Sequence, residues 1–401
     1  MNLRISPAPL AGRIIVPPSK SELHRLLICA ALSEGESMIA PFVSSRDLEA
    51  TMGCLRVLGA DFSREGDGLA VLPCKRAGQK MPTFFCGESA TTLRLLLPLA
   101  LVLRGGGCFV GEGRLLQRPL EPYFALFRDR GIDYSLTERE LTVSGSLPAG
   151  DYALPGNVSS QFFSGLLLAL PLVGASTLRA ATPLESAPYA AMTAAVMARF
   201  GVKTEKIPHG WAISEGHYQA AAVTAEADWS QAAFWLAANF LGGRVELPGL
   251  SPTSPQGDRM ITQYRRELNG SGAVSLSLAQ CPDLLPALCV MAAGREGDTL
   301  FTHARRLRLK ESDRLAACAG LMKSFGISCQ EGEDFLLVRG TGHFYGGRPA
   351  LPDDHRLVMA AAILAAYAEG ESVLTNVECA EKSYPAFFKD FQRLGGQCHA
   401  E

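Results

Sequence analysis

One pattern recurs six times along this chain and limits its fold more than any other feature: a helix-like run, a glycine, then a short β-rich run. It is read at 48–64 (LEATMGCLRVLGADFSR), 121–135 (EPYFALFRDRGIDYS), 189–204, 261–276, 311–329 and 386–398. The punctuating glycines are 59, 131, 201, 272, 326 and 396, at steps of 72, 70, 71, 54 and 70 residues. Glycine suits such positions because a helix ends readily on a left-handed residue, which glycine adopts without strain. A second, more apolar helix is interleaved at 20–34, 89–104, 159–173, 228–241, 283–296 and 354–369. Gly35, Gly106, Gly174, Gly243, Gly297 and Gly370 follow it, at steps of 71, 68, 69, 54 and 73. Both series shorten at the same place, so both mark one repeat of roughly seventy residues holding two helices and several strands. The interleaved helices are apolar nearly all round, which places them in an interior. At 401 residues the chain exceeds one ordinary core. Three repeats in each of two domains is the economical expectation, with the break near 225–228.

The starts of the buried helices are unusually polar: Ser19-Lys20-Ser21, Glu88-Ser89, Ser159-Ser160-Gln161, Asp228, Asp283 and Asp354-His355-Arg356. Ordinary capping explains the Ser and Asp residues, whose side chains accept from free N–H groups. It does not explain Lys20, Arg25, Arg94 or Arg356, cations in first turns where the helix dipole disfavours them. A bound anion reverses that penalty, since helix N-termini with added Lys or Arg form phosphate sites. Further cations stand just outside the repeats: Arg118 in QRPLEPY, RRLRLKESDR at 305–314, and Lys382 in EKSYP. A solvated, salt-bridged surface accounts for Arg305 and Arg308 more readily than for Lys310, Glu311, Ser312, Asp313 and Arg314 together.

Several classes are excluded or disfavoured. The net charge of −2 is not that of a protein holding nucleic acid by its overall field. Eleven cysteines without a CxxC pair read as reduced core residues, not as a disulfide framework or zinc site. No apolar run reaches about 18 residues without a charge, Gly or Pro, and no signal peptide is visible, so a cytoplasmic protein without a membrane span is expected. P-loop, HExxH, GxSxG and strand-embedded GxGxxG motifs are absent. What remains is phosphate or carboxylate chemistry without nucleotide or metal machinery.

The segments PPSKSELHR (17–25), CGESATTLR (86–94), GEGRLLQRPLEP (111–122), GNVSSQFFSGLLLALPL (156–172), ESAPYAAMT (185–193), PDLLPALCVMAA (282–293), RLRLKESDRLAA (306–317), DDHRLVMAAA (353–362) and ECAEKSYPAFF (378–388) resemble, in order, those of the EPSP synthases. KESDR, VSSQF and SKS followed by HR are the specific ones. The resemblance implies an α/β fold of two domains, each of three βαβαββ units in an inside-out barrel. Residues 16–226 would form one domain, on the shikimate 3-phosphate side. Residues 1–15 with 227–401 would form the other, on the phosphoenolpyruvate side, with the active site in the cleft between them.

By position, the resemblance assigns shikimate 3-phosphate to Lys20, Ser21, Arg25, Ser159, Ser160, Gln161, Ser186, Tyr189, Asp283 and Lys310. It assigns phosphoenolpyruvate to Lys20, Ala90, Arg118, Gln161, Arg314, Arg356 and Lys382. Two substrates, each with a carboxylate and a phosphate of about −1.5 to −2, bring roughly −6 into one site, which calls for converging cations. The reaction also needs acid and base. Asp283 is expected to take the proton of the attacking hydroxyl and Glu311 to protonate the methylene carbon, with Lys20 or Lys382 able to share the acid role. No metal, cofactor, nucleic acid or membrane partner is expected, and the protein is expected to be a monomer. Glu88, Ala90, Ala187 and Arg306 depart from the commoner family pattern, which has Asn, Gly, Lys and Asn there. Ala90 implies tolerance to the herbicide glyphosate. The rivals are a UDP-N-acetylglucosamine enolpyruvyl transferase, disfavoured because Ser21 follows Lys20, RNA 3′-phosphate cyclase, which lacks these motifs, and an inactive polyanion-binding homologue.

Overall fold

The computed structural model describes residues 2–74, 81–270 and 272–401. The chain folds into two compact units: Pro18–Glu226, and the stretch up to Pro17 together with Ala227–Glu401. The boundary near the N-terminus falls two residues after the 15/16 expected, because Ile14 and Val16 are buried in the core of the discontinuous unit.

The contiguous unit holds three four-stranded sheets of one design. In the second of them, Thr83–Phe85 runs parallel to Gly106–Val110, which pairs antiparallel with Glu140–Ser144, itself paired with Asp133–Leu136. A helix joins the first two strands (Ala90–Arg104) and another joins the second to the hairpin (Glu121–Arg130). Asp151–Leu154, Ser176–Ala180, Gly210–Ile213 and Thr204–Ile207 repeat the order. The remaining sheet takes its first strand from the far end of the unit: Ala222–Thr224 runs parallel to Ser37–Ala40, so the three repeats close on themselves.

In the discontinuous unit, Val274–Ser277, Glu296–Thr302, Phe335–Thr341 and Ser328–Glu331 form the complete copy. Another sheet is finished by the N-terminus, with Leu3–Ser6 lying antiparallel between Ser372–Leu374 and Gln397–Ala400. The third copy is abbreviated. Among the described residues Ala11–Arg13 pairs only with Arg244–Glu246, and no hairpin is described between the helix Ile261–Leu268 and Val274–Ser277. The missing hairpin is the reason both glycine series contract to 54 residues there.

The interleaved helices lie inside. Every residue of Leu285–Ala293 is buried, as are His355–Ala366 of the helix His355–Tyr367 and Leu23–Ala31 of Lys20–Leu32. Sheets cover them on the outside, as the uniform apolarity of these helices requires. Gly59, Gly131, Gly201, Gly272 and Gly326 all have positive φ, whereas in the last repeat the turn is made one residue early, by Gly395. Gly106 is fixed for a further reason: a Cβ there would lie 2.0 Å from the carbonyl oxygen of Val143 on the neighbouring strand. Among the described residues no helix is long and apolar enough to cross a membrane.

Candidate active site

The candidate residues fall into two groups, one in each unit. In Pro18–Glu226, Ser19 caps the helix Lys20–Leu32 by accepting from the Glu22 amide at 3.4 Å. Lys20, its first residue, donates to Asp47 at 2.7 Å. Asp47 stands in the first turn of the helix Arg46–Val57. Ser89 caps Ala90–Arg104 in the same way, accepting from the Thr92 amide at 3.2 Å. Gln161, the first residue of Gln161–Ala169, accepts from Arg94 Nη1 at 2.9 Å and donates to Thr91 at 2.8 Å. Ser159 accepts from the Gln161 amide at 3.3 Å, and Ser160 is buried beside it. Ser186 begins the helix Ala187–Arg199 from a left-handed conformation, φ 54°. Arg118 follows the 3-10 turn Leu115–Gln117 on extended backbone.

In the discontinuous unit the cluster is tighter. Asp283 lies in a 3-10 turn, Pro282–Leu284, that precedes Leu285–Ala293, so its carboxylate is turned to ion pairing, not to capping. It meets Lys310 at 3.1 Å, Arg314 at 2.8 Å and Arg356 at 3.5 Å. Arg314 is 1% exposed and also pairs with Glu311 at 2.5 Å and Asp354 at 2.8 Å. Asp354 does two jobs, since it also caps His355–Tyr367 through the Arg356 amide at 3.1 Å. Lys382, itself buried, ends the turn Val377–Lys382, and the adjacent Ser383 accepts from Gln231 at 3.1 Å.

Electrostatics follows from these contacts. Burial pushes the Asp283 carboxyl up, but Lys310, Arg356 and Arg314 together outweigh it and hold it well below the usual carboxylate range. Burial likewise works against the charge of Arg314, and Asp354, Glu311 and Asp283 more than restore it. Asp258, buried beside this cluster and bonded to Ser230, is pushed up to about 6, first by burial and then by Asp283. A carboxylate encircled by three cations, with a second carboxylate on the same arginine, can move protons while the cations hold an anion.

A model of the family "EPSP synthase (3-phosphoshikimate 1-carboxyvinyltransferase)" matches residues 5–391. Proteins named 3-phosphoshikimate 1-carboxyvinyltransferase in Clostridium kluyveri and Clostridium acetobutylicum are 37% and 38% identical to it. These matches cover 98% and 99% of this chain and 97% and 98% of theirs. The chain belongs to the EPSP synthase family. Its fold is likewise that of an EPSP synthase from Acinetobacter baumannii (TM-score 0.82, 22% identity, all of both chains). It is also that of the enolpyruvyl transferase NikO from Streptomyces tendae (TM-score 0.78, 18% identity, 99% of this chain and 98% of that one).

Within the EPSP synthase frame, the structure gathers Asp283, Lys310, Glu311, Arg314 and Arg356 into one network. It brings Gln161 together with Arg94 and, through Thr91, with the helix that Ala90 opens. Arg25, expected to hold shikimate 3-phosphate, lies on the helix that begins with Lys20 and Ser21. Its guanidinium is buried and donates to Thr193 at 2.6 Å, Ser164 at 3.0 Å and the Ser21 carbonyl at 2.6 Å. Arg94, whose charge at a helix start suggested an anion, lies over the Phe162 ring and bonds the Pro119 carbonyl at 2.8 Å, tying repeats together. Asp47 and the second role of Asp354 escaped the sequence, because an acid in a helix's first turn looks like an ordinary cap.

Proposed function

We propose that this chain transfers the enolpyruvyl group of phosphoenolpyruvate to the 5-hydroxyl of shikimate 3-phosphate, giving 5-enolpyruvylshikimate 3-phosphate and phosphate. The observation that carries the reading is identity to named 3-phosphoshikimate 1-carboxyvinyltransferases along nearly the whole chain. The cluster around Asp283 supplies matching chemistry. Shikimate 3-phosphate is taken by Lys20, Ser21, Arg25, Ser159, Ser160, Gln161, Ser186, Tyr189, Asp283 and Lys310, and phosphoenolpyruvate by Lys20, Ala90, Arg118, Gln161, Arg314, Arg356 and Lys382. The protein acts as a cytoplasmic monomer, and the substrates and side chains alone supply every reacting group.

Asp283 alone is a weak base, because three cations stabilise its anion. Phosphoenolpyruvate brings its own carboxylate and phosphate to Arg314 and Arg356, and the hydroxyls of shikimate 3-phosphate engage Lys310. Each cation so engaged stabilises the Asp283 anion less, and the carboxylate becomes more basic as the substrates arrive. It then takes the 5-hydroxyl proton as that oxygen bonds to C2 of phosphoenolpyruvate, while Glu311, which takes up a proton from water when phosphoenolpyruvate displaces it from Arg314, delivers that proton to C3. The resulting tetrahedral intermediate loses a C3 proton back to Glu311 and breaks its C2–O bond to phosphate. Phosphate leaves and the double bond reforms.

Phosphate release on mixing the protein with both substrates, and none with either alone, is the test. Asp283→Asn and Glu311→Gln should each lower turnover about 10²-fold or more while binding largely survives. Near-normal turnover in Glu311→Gln would remove it from the C3 step.

A further inference from the structure

His24 and Arg25 are neighbours in sequence, both 1% exposed, on the helix that begins with Lys20 and Ser21. They enter two separate buried networks. His24 Nδ1 lies 2.7 Å from the Thr51 hydroxyl, which lies 2.7 Å from that of Thr92. Thr92 donates to Ser89 Oγ at 2.8 Å and approaches the Asp47 carbonyl at 3.4 Å. Four polar side chains are thus linked within the core, and they join the N-terminal halves of Lys20–Leu32, Arg46–Val57 and Ala90–Arg104. Arg25 turns the other way, to Thr193 and Ser164, which bond each other at 2.7 Å, and to the Ser21 carbonyl. Thr193 also donates to the Tyr189 carbonyl at 3.0 Å.

The ends of the two networks differ in kind. The first passes the backbone of Asp47, whose carboxylate pairs with Lys20, and ends on Ser89, the cap of the helix that Ala90 opens. Ala90 is assigned to phosphoenolpyruvate alone and Lys20 to both substrates. The second ends on Ser21, Tyr189 and the helix begun by Ser160 and Gln161; Ser21, Tyr189 and Ser160 are assigned to shikimate 3-phosphate alone and Gln161 to both. We propose that His24, Thr51, Thr92 and Ser89 are positioning residues for phosphoenolpyruvate, and that Thr193 and Ser164, which hold Arg25, are positioning residues for shikimate 3-phosphate. This division rests on the functional reading above.

The proton inventory gives the first network a direction. Burial pushes His24 down to about 3, so its imidazole is neutral and carries one N–H. Nε2 has no hydrogen-bond partner among the described residues. With the proton on Nδ1, His24 donates to Thr51, Thr51 to Thr92 and Thr92 to Ser89. The Ser89 hydroxyl, which already accepts from the Thr92 amide, keeps its own proton to donate at the helix N-terminus. A chain in which each member is satisfied by the next fixes its side chains more tightly than isolated bonds do.

The test uses isosteres that keep volume and remove a hydroxyl. Initial rates are measured with each substrate varied in turn. Thr51→Val should raise KM for phosphoenolpyruvate about five- to tenfold and leave KM for shikimate 3-phosphate within about twofold, the scale of one buried hydrogen bond. Thr51→Ser, which restores the hydroxyl, should return the wild-type value. Thr193→Val should show the reverse pattern. An unchanged KM for phosphoenolpyruvate in Thr51→Val, equal rises in both constants, or no rescue by serine would overturn the division. Should Thr51→Val fail to fold, Thr92→Val is read by the same criteria. A wild type that releases no phosphate would sink the functional reading and this inference with it. A wild type that turns over while Thr51→Val keeps its constants would sink the inference alone.

Discussion

Ala90 opens its helix with 3% of its surface exposed, so its methyl group is already in contact with packed neighbours. Glyphosate is longer than phosphoenolpyruvate, and in this family it occupies the same pocket. A methyl group added to a filled site costs about 1–3 kcal/mol. The longer ligand has less room to shift, so Ala90→Gly should bind glyphosate about tenfold more tightly while KM for phosphoenolpyruvate changes less. Inhibition constants of the two proteins decide this, and equal constants would remove Ala90 as a determinant of glyphosate affinity. Single residues were legible where their chemistry is distinctive. Asp283, Lys310, Glu311, Arg314 and Arg356 were all marked by charge in apolar or helix-start surroundings, and they do meet. Arg25 and Arg94 were marked by the same signal, and they donate to groups of neighbouring helices. The sequence shows that a buried charge needs a partner and does not say whether that partner is a ligand or a side chain.

At the scale of elements, the glycine spacing carried the repeat, because a left-handed helix end leaves a mark in one residue. The absent hairpin was visible only as a shortfall of residues, since a step of 54 does not say which strands are lost. The polar networks were illegible for another reason: Ser, Thr and His among apolar residues look alike whether they bond across helices or within one. One junction between elements has a measurable pH signature. The Asp258 carboxyl, in the turn Gly257–Met260, accepts from Ser230 on the helix Trp229–Phe240. Its value in the folded protein, about 6, lies above the roughly 3.9 of an unfolded chain. The folded state therefore holds this proton more tightly, and the stability it contributes is complete below about pH 4 and lost as pH rises through about 6. Asp258→Asn should remove that dependence. Denaturation midpoints at pH 4 and pH 7 should show the variant gaining on wild type at the higher pH, by something of the order of 2 kcal/mol. A constant difference between the two proteins would refute it.

For the whole molecule, the residues assigned to each substrate are divided between the two units. Lys20, Arg118 and Gln161 stand in one, and Arg314, Arg356 and Lys382 in the other. The proposed reaction needs both sets on the same pair of anions, so shikimate 3-phosphate should draw the units together. Small-angle scattering should record a smaller radius of gyration on its addition, and an unchanged radius would count against ligand-driven closure.

The chain passes between units twice, and each passage is pinned: the Ser19 amide donates to the Glu226 carbonyl at 2.7 Å, and the Asp228 amide to the Pro17 carbonyl at 2.9 Å. This routing sets a timetable during synthesis on the ribosome. Pro18–Glu226 is one uninterrupted stretch, and its closing strand, Ala222–Thr224, emerges with the rest of it, so it can fold while the remainder is still being translated. Leu3–Ser6 is made before the contiguous unit, yet its two partner strands, Ser372–Leu374 and Gln397–Ala400, come well after it. A strand with its edges unsatisfied must therefore wait while the whole of the contiguous unit is made. Its short length of four residues and the polar Arg4 and Ser6 within it limit how well it can pair with a wrong partner in the meantime.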